Sequence, residues 1–293
     1  AIESIDFSRD SVRNILKGFA PKDEQENRIM GIKKGLEFIA DATNKISEEN
    51  LYKLYMMTVG DFLDDENKLE EGKKYRHDVV YIVSDHIEHT GLPAAEVPKH
   101  MADLIAFANT EDNINDLVKA AIIHFYCAYI HPYFDGNGRM ARLLHLWFLI
   151  QKGYQSALFI PFSSKIEKSR KAYYDAYTTI GQNKKYSNVI DATPFVIYFI
   201  ENVYNQMTDV TPVDTLSRYD EVIKSGMATE KEIKLWQFVL SFYGLGEFST
   251  KQLEKDFGDA AYATIRGFVL KFEELGLLTS IKYGARIKYK ISK

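Results

Sequence analysis

The chain has 293 residues, of which 46% are hydrophobic and 27% charged, and its formal net charge at pH 7 is −4. This length exceeds one typical domain, so we expect one large folded unit and a smaller one. The small negative charge excludes a global attraction to nucleic acid or anionic membranes. No apolar run approaches the ~20 residues of a membrane span, and no membrane partner is expected. The single cysteine, Cys127, excludes a disulfide within the chain, and a cytoplasmic location is expected because no secretory signal is visible.

The first predicted elements are helices. Residues Lys22 to Asn27 form a charged run that contains Glu24 and Glu26. Such a run is typical of a solvated helix start, because acidic side chains are favoured in the first turn by the helix dipole. The helical pattern continues over residues 31–40, and a longer helical segment follows it.

The next segment predicts a β-hairpin within an otherwise helical region. β-Branched and aromatic side chains are frequent in residues 75–83, a polar break follows at Ser84 and Asp85, and residues 87–90 lead to Gly91. Two such runs around a polar break are typical of a hairpin. From the pattern alone, a hairpin that only packs against the helices is as well supported as one that binds a partner.

Two apolar helices are predicted on either side of a short loop. Residues 119–130 are rich in Ala, Ile, Phe and Tyr, and residues 140–150 are rich in Leu, Trp and Phe. Helices that are apolar on most faces belong in the middle of a domain. The loop that begins at His131 is therefore expected to be held rigidly by the core.

This loop combines several groups that handle phosphates. His131 can take a proton near neutral pH, and Asp135 offers hard oxygen to Mg²⁺. Gly136 to Gly138 open the second helix with backbone N–H groups that favour an anion, and Arg139 and Arg142 lie on one helical face. Each residue alone has an ordinary structural explanation, but eight specified types at fixed spacing arise by chance at roughly one in 10⁸. The residues predict phosphoryl-type transfer without indicating which phosphorus is attacked.

Two further helices and a linker are predicted after the loop. Residues 165–180 carry Tyr173 and Tyr174 in a helical pattern, and residues 194–200 form an apolar helix. A polar segment and a charged helical stretch follow. We assign residues 207–225 to a linker between domains.

The last domain, residues 226–293, is predicted to hold three helices followed by a terminal hairpin. This order resembles a winged helix, a fold that can recognise DNA through its third helix and its wing. A protein-docking role is equally supported, because acidic side chains balance the basic wing. The side chains expected to contact DNA are Arg266 on the third helix and Lys282, Arg286 and Lys288 on the wing.

Residues 131–142 also resemble a known family signature. The pattern His-x-Phe-x-Asp/Glu-Gly-Asn-Gly-Arg-x-x-Arg is typical of Fic-domain proteins, and only Tyr133 departs from it, with the aromatic ring retained. We therefore expect Tyr133 to anchor the loop by packing. The resemblance extends over roughly residues 10–205 and implies a mainly α-helical Fic domain with a β-hairpin flap, which we bound at residues 1–206.

The resemblance implies transfer of AMP from ATP to a hydroxyl of a target protein. It implies that His131 deprotonates a Ser, Thr or Tyr hydroxyl, and that Asp135 holds Mg²⁺ between the α- and β-phosphates. Tyr173 and Tyr174 would lie near the nucleotide base. The residues implied to hold the phosphates are Gly136, Asn137, Gly138, Arg139 and Arg142.

The same resemblance implies a target-binding flap and an inhibitory helix. The flap would pair with the target backbone as an added strand. The N-terminal helix would carry Glu26 and Asn27 over the site, with Glu26 pairing with Arg142 so that the γ-phosphate cannot sit productively. Lys22 stands where this class has Ser or Thr, so the match to the inhibitory helix is partial. The flap residues are Val80, Tyr81, Ile82 and Val83.

Adenylylation is the leading function, and two alternatives stay open. The same fold could act as a phosphotransferase, or as a UMP or phosphocholine transferase. A DNA-binding transcriptional regulator could use the nucleotide site as a sensor, although the full set of reactive residues favours an enzyme. The expected partners are a target protein with an accessible hydroxyl and, through the last domain, DNA, while a homo-oligomer is left open.

Overall fold

A computed structural model describes residues 8–84, 87–206, 213–284 and 286–292 of the chain. Within these residues no helix combines the length and the apolar character needed to cross a membrane. The chain divides into two compact units. Unit 1 comprises Pro21–Lys152 and Phe162–Gln206, and unit 2 comprises Ser8–Ala20, Gly153–Pro161 and the described part of Met207–Lys293.

The described residues form mainly α-helices, together with two short hairpins. The helices are, in chain order, α1 (Arg9–Leu16), α2 (Glu24–Ala40), α3 (Glu48–Thr58), α4 (Val97–Asn109), α5 (Asp116–Ile130), α6 (Asn137–Gln151), α7 (Phe162–Lys168), α8 (Arg170–Ser187), α9 (Thr193–Tyr198), α10 (Val213–Lys224), α11 (Glu230–Phe238), α12 (Thr250–Phe257) and α13 (Tyr262–Glu274). The strands are β1 (Tyr81–Ser84), β2 (Ile87–Thr90), β3 (Leu278–Tyr283) and β4 (Arg286–Ile291).

Helices α5 and α6 lie at the centre of unit 1. Their buried apolar side chains include Phe125, Leu144 and Trp147. α5 packs against α6, α4 and α9, and α6 also packs against α2. The short loop between α5 and α6 is therefore held by the core on both sides, which confirms its predicted placement.

The predicted hairpin is present in unit 1, but its first strand begins later than the sequence indicates. β1 and β2 pair antiparallel, with Tyr81 opposite Thr90 and Ser84 opposite Ile87. The connecting residues 85 and 86 lie outside the described part of the chain. Residues 75–80 stay out of the ladder, because the first of them contact the loop that follows α5.

Unit 2 contains the predicted three helices and terminal hairpin. These are α11, α12, α13 and the β3–β4 pair, and α1 and α10 belong to the same unit. The core includes Trp236 and Phe272, and Phe248 exchanges two backbone hydrogen bonds with Tyr289 of β4, at 2.9 and 2.7 Å. The order of elements is thus as expected, while the winged-helix assignment itself stays a prediction.

The bounds of the two units differ from the predicted domains. Residues 8–20 and 153–161, which the sequence places in the first domain, belong to unit 2. One cause is the carboxylate of Asp220, which accepts from the Ser156 N–H at 2.8 Å and from its hydroxyl at 2.6 Å. The described part of the predicted linker is helix α10, whose Tyr219 is buried in the core of unit 2. It is therefore part of a folded unit and not a connection between domains.

Candidate functional site

The candidate site begins at His131, where α5 ends. His131 adopts a left-handed backbone, with φ 54° and ψ 62°, while its N–H still donates to the Cys127 carbonyl at 3.2 Å. Strain of this kind costs on the order of 1–3 kcal/mol and persists only where the surroundings over-determine it. Asn188 is the only other non-glycine residue with a positive φ in the described chain. The left-handed turn ends the helix and starts the loop that leads to α6.

The imidazole of His131 is neutral at physiological pH. Its Nδ1 lies 3.3 Å from the Ala128 carbonyl, which can only accept, so Nδ1 carries the proton and Nε2 keeps its lone pair. Burial lowers the pKa of the His131 imidazole to about 4. The bond to Ala128 and the charge of Asp135 oppose this shift, whereas the charge of Arg76 adds to it. His131 can therefore accept a proton through Nε2.

Asn137 closes the loop and Tyr133 anchors it. The Asn137 side chain accepts from the Tyr133 N–H at 2.9 Å and donates to the Tyr133 carbonyl at 2.8 Å. The buried Tyr133 ring stacks on Tyr55 with centroids 3.7 Å apart, so it packs as predicted. Because both polar ends of the Asn137 side chain are used inside the loop, this residue shapes the loop. Its contact with the α-phosphate stays a prediction.

The start of α6 presents backbone amides. Gly136 precedes the helix with a left-handed φ of 78°, and a Cβ there would lie 2.5 Å from Val59 Cγ1. Glycine is therefore required for both the conformation and the close approach. The N–H groups of the first helical turn, including that of Gly138, lack partners within the helix. Together with the positive end of the helix dipole they favour an anion.

Asp135 and Arg139 lie beside these amides. Asp135 Oδ1 accepts from the Gly136 N–H at 2.5 Å, and its Oδ2 lies 3.8 Å from Arg139 Nη2. Arg139 also donates to the Thr58 carbonyl at 3.2 Å, which fixes its guanidinium against the end of α3. The Asp135 side chain is 54% exposed, so its oxygens can take further ligands.

Asp135 suits a metal ion that a nucleotide brings with it. The described residues contain no group of three or more His, Cys, Asp or Glu side chains placed to hold a metal ion. Mg²⁺ commonly keeps several waters and binds one or two carboxylates together with substrate phosphates. A single exposed carboxylate beside the first-turn amides of α6 meets that requirement.

A small cleft lies next to Asp135 and Arg139. Its other walls come from α2 and from the segment that follows α3. The cleft therefore brings the predicted inhibitory helix beside the loop that leads to α6. The remaining lining residues are Arg28, Val59, Phe62, Leu63, Asp64 and Asn67.

Glu26 lies in the first turn of α2 but does not form the expected ion pair. Its buried carboxylate accepts from the Lys22 N–H at 2.9 Å, and its own N–H donates to Asp23 at 2.8 Å. Among the described residues it makes no ion pair with Arg142 or any other cation. Glu26 thus satisfies a backbone N–H just before the helix, as capping residues do. Asn27 is exposed, and the inhibitory role of both residues stays a prediction.

Arg142 lies one turn further along α6, in the region of Tyr173. Burial raises the pKa of the Tyr173 hydroxyl, and the charge of Arg142 is among the effects that oppose the rise. Tyr173 is 7% exposed, and its hydroxyl lies 3.2 Å from His124 Nε2, so it belongs to the aromatic core. Tyr174 is half-buried, and the contact of either tyrosine with a nucleotide base stays a prediction.

The predicted flap residues lie at the start of β1. Tyr81 is 72% exposed and Val80 is half-buried, while the side chains of Ile82 and Val83 lie outside the described part. Within that part, each strand of the hairpin pairs only with the other. A further strand can therefore be added at an open edge.

Sequence reasoning misses two residues that hold this site together. Tyr55 on α3 stacks under the loop, and Arg76, just before the hairpin, is 2% exposed and donates to the His131 carbonyl at 2.7 Å. The only signal for Arg76 is a basic side chain between two aromatic ones, Tyr75 and His77. Tyr55 carries no signal in its helical pattern.

The cations predicted to contact DNA lie on the surface of unit 2. Arg266 is exposed on α13, and Lys282 and Arg286 are exposed on the β3–β4 hairpin. Lys288 is also exposed but lies 3.3 Å from the Glu247 carboxylate. An ion pair therefore offsets part of the positive charge of the hairpin.

The model of the Fic/DOC family matches residues 45–149, which include α3, the hairpin, α5, the loop and nearly all of α6. The chain thus contains a Fic/DOC family domain. It is similar to a protein adenylyltransferase Fic of Nematostella vectensis, with 27% identity over 179 residues, 59% of this chain and 36% of that protein. It is also similar to a probable protein adenylyltransferase of Aquifex aeolicus, with 24% identity over 49% of this chain and 46% of that protein. The chain therefore spans less than half the length of these relatives.

Two solved structures share the fold. A Fic family protein from Desulfovibrio desulfuricans has a TM-score of 0.56 at 21% identity, over 98% of this chain and 82% of that one. A Fic domain containing signaling protein from Bacteroides thetaiotaomicron has a TM-score of 0.54 at 19% identity, over 70% of this chain and 80% of that one. At these identities the likeness concerns the fold alone.

Proposed function

We propose that the chain transfers AMP from ATP to a Ser, Thr or Tyr hydroxyl of a target protein. The observation that carries the proposal is the neutral imidazole of His131, with Nε2 ready to accept a proton, one loop away from the phosphate-binding start of α6. Relatives of the same domain are named protein adenylyltransferases, which favours the α-phosphorus as the point of attack.

In the proposed reaction His131 Nε2 takes the proton of the target hydroxyl as its oxygen attacks the α-phosphorus. The bond from that phosphorus to the bridging oxygen breaks, and pyrophosphate leaves with the electron pair. The first-turn amides of α6 would hold the α-phosphate, and Arg139 and Arg142 the β- and γ-phosphates, so that charge is stabilised where it develops. Bound phosphates would also raise the pKa of His131, since nearby negative charge favours the imidazolium.

Asp135 would hold the Mg²⁺ that accompanies ATP. Mg²⁺ supplies charge neutralisation of the α- and β-phosphates when it is bound. Asp135 Oδ2 lies 3.8 Å from Arg139 Nη2, so the carboxylate is next to the cation that would hold the β-phosphate. The flap, residues Val80 to Val83, would present the target backbone to the site as an added strand.

We further propose that the start of α2 restrains the site. The cleft beside Asp135 and Arg139 is lined by Arg28, which directly follows Glu26 and Asn27 in α2. The Glu26 carboxylate would compete with the γ-phosphate if it turned from the Lys22 N–H towards Arg142. Autoinhibition of this kind rests on the helix position and not on an ion pair present among the described residues.

The experiment that tests the main proposal compares two isotopic labels in the whole chain. With Mg²⁺, ATP labelled at the α-phosphate should transfer its label to protein hydroxyls, here those of the chain itself, whereas ATP labelled at the γ-phosphate should not. His131→Ala should lower transfer by ~10²–10⁴-fold, because it removes the base, with ATP affinity largely unchanged. Transfer of the γ-label would instead establish a phosphotransferase. ATP binding without transfer of either label would favour a nucleotide sensor.

We propose a second function for unit 2, the binding of DNA through the β3–β4 hairpin. The observation that favours it is the exposure of Lys282 and Arg286, neither of which forms an ion pair with a described residue. Two such cations on one hairpin can contact the phosphates of a duplex. The test is whether removal of both side chains lowers the dependence of DNA affinity on salt.

A further inference from the structure

Arg76 has a buried guanidinium, and each of its three nitrogens donates to a backbone carbonyl. It is 2% exposed. Its Nε donates to the His131 carbonyl at 2.7 Å, its Nη1 donates to the Asp78 carbonyl at 2.6 Å, and its Nη2 donates to the Leu92 carbonyl. No carboxylate of a described residue forms an ion pair with it. The side chain is therefore used to hold backbone, since charge neutralisation alone would call for an acidic partner.

The three carbonyls belong to separate parts of unit 1. His131 is the proposed proton acceptor. Asp78 precedes the first strand of the hairpin, and Leu92 follows the second. There the Gly91 N–H donates to the Val80 carbonyl at 3.0 Å. A Cβ on Gly91 would lie 2.9 Å from Arg76 Nη2, so the backbone passes directly against the guanidinium. One side chain thus joins both sides of the flap to the catalytic loop.

The residues on either side of Arg76 repeat this attachment. The Arg76 N–H donates to the Pro132 carbonyl at 3.0 Å. The Tyr75 ring lies 6.4 Å from that of Tyr133, and the His77 ring lies 5.1 Å from that of Phe134. Three consecutive residues before the hairpin therefore contact successive residues of the loop.

We propose that Arg76 is a positioning residue that fixes the distance between the flap and His131, so that a hydroxyl carried by a flap-bound target meets Nε2. The catalytic consequence of this inference rests on the proposed function. The clamp itself, by which we mean the bonds of Arg76 to the carbonyls of His131, Asp78 and Leu92, rests on contacts alone. The bond to the His131 carbonyl also restrains the left-handed backbone of His131, which needs such support. Lysine cannot replace this arrangement, because a single ammonium does not reproduce the rigid fork of donors.

The test compares Arg76→Met and Arg76→Lys with a matched control, Arg218→Met, in the whole chain. Arg218 in unit 2 likewise donates to a backbone carbonyl, that of Gly276, at 2.9 Å. Self-labelling from ATP labelled at the α-phosphate should fall by roughly 10²-fold in both Arg76 variants, since misplacement by about 1 Å costs that much. ATP affinity should stay within about twofold, because the clamp does not contact the start of α6. The control should label like the wild type.

Amide hydrogen exchange tests the inference independently of whether the chain transfers label. In the Arg76 variants the amides of residues 78–81 and 91–92 and of the loop after His131 should exchange faster together, while those of α4 and α8 stay unchanged. If the wild type transfers no label, the proposed function fails and the exchange result still decides on the clamp. Faster exchange at the loop but not at the hairpin, or labelling within twofold of the wild type, would overturn the inference. If Arg76→Met does not fold, Arg76→Lys decides by the same criteria.

Discussion

At the residue scale, the residue types around His131 can be identified from the sequence, whereas the environment that sets its protonation cannot. The residue types at 131–142 predict a base, a carboxylate and an anion cradle, and the structure brings His131, Asp135 and Arg139 into one region. The left-handed backbone, the tautomer and the depressed pKa depend on burial and on Ala128 and Arg76. These are properties of packing, which spacing along the chain does not encode.

The pKa of His131 gives the first prediction at this scale. Nuclear magnetic resonance titration of the imidazole in the nucleotide-free protein should give a midpoint near about 4, well below the ordinary value of 6.5. The neutral form is the active base, so kcat/KM should hold as pH falls through 6.5 and be lost only as it approaches 4. Saturating MgATP should raise the midpoint, because phosphates favour the imidazolium. The control is His100→Ala, which should leave the His131 signal and the dependence of kcat/KM on pH unchanged. A His131 midpoint at 6.5 in the nucleotide-free protein would contradict the burial argument.

At the element scale, local signals located most helices and the hairpin, but their ends depend on contacts made elsewhere. Asp23 caps α2 through its bond to the Glu26 N–H, and the acidic first turn after it is visible in the sequence. The hairpin starts at Tyr81, six residues later than its pattern indicates, because Tyr75 to His77 are held by the loop after His131. Such a long-range restraint has no trace in a run of strand-forming residues.

The start of α2 gives the prediction that belongs to this scale. Glu26→Gly should raise self-labelling, because it removes the carboxylate that we propose to compete with the γ-phosphate for Arg142. Coupling between two regulatory states is typically ~1–3 kcal/mol, or roughly five- to 150-fold. We expect the low end, since Glu26 is held by the Lys22 N–H in the structure and glycine weakens the helix by about 1 kcal/mol.

Two further variants separate charge from helix stability. Glu26→Gln keeps an acceptor for the Lys22 N–H but removes the charge, so it should activate labelling as well. Glu37→Gln, an exposed position near the other end of α2, should change nothing. Activation by Glu26→Gly alone would assign the effect to a loosened helix, and no activation by either Glu26 variant would leave α2 as scaffold.

At the scale of the whole molecule, the two units are discontinuous in sequence, and this is where prediction from the sequence fails. A change in composition near residue 207 indicates a second domain, but nothing local indicates that 8–20 and 153–161 belong to it. Their assignment depends on pairs such as Ser156 and Asp220, which are 64 residues apart. The order of elements in a unit can be predicted from periodicity, whereas which segments join it is decided by long-range contacts.

Net charge sets the conditions for DNA binding by the whole chain. At −4 overall, the molecule as a whole does not attract DNA, so binding must come from a local cluster and must be sensitive to salt. If Arg266, Lys282 and Arg286 each contact one phosphate, affinity for a fluorescent random-sequence duplex should fall on the order of 40-fold between 50 and 200 mM salt. Lys282→Ala with Arg286→Ala should reduce the logarithmic salt slope to roughly a third, because only one contact of three is left.

A control pair on unit 1, Lys68→Ala with Lys171→Ala, removes the same charge from exposed positions and should leave the slope unchanged. Absence of binding at 50 mM salt, or equal slopes for the two pairs, would exclude the hairpin as a DNA contact and favour a protein-docking role for unit 2.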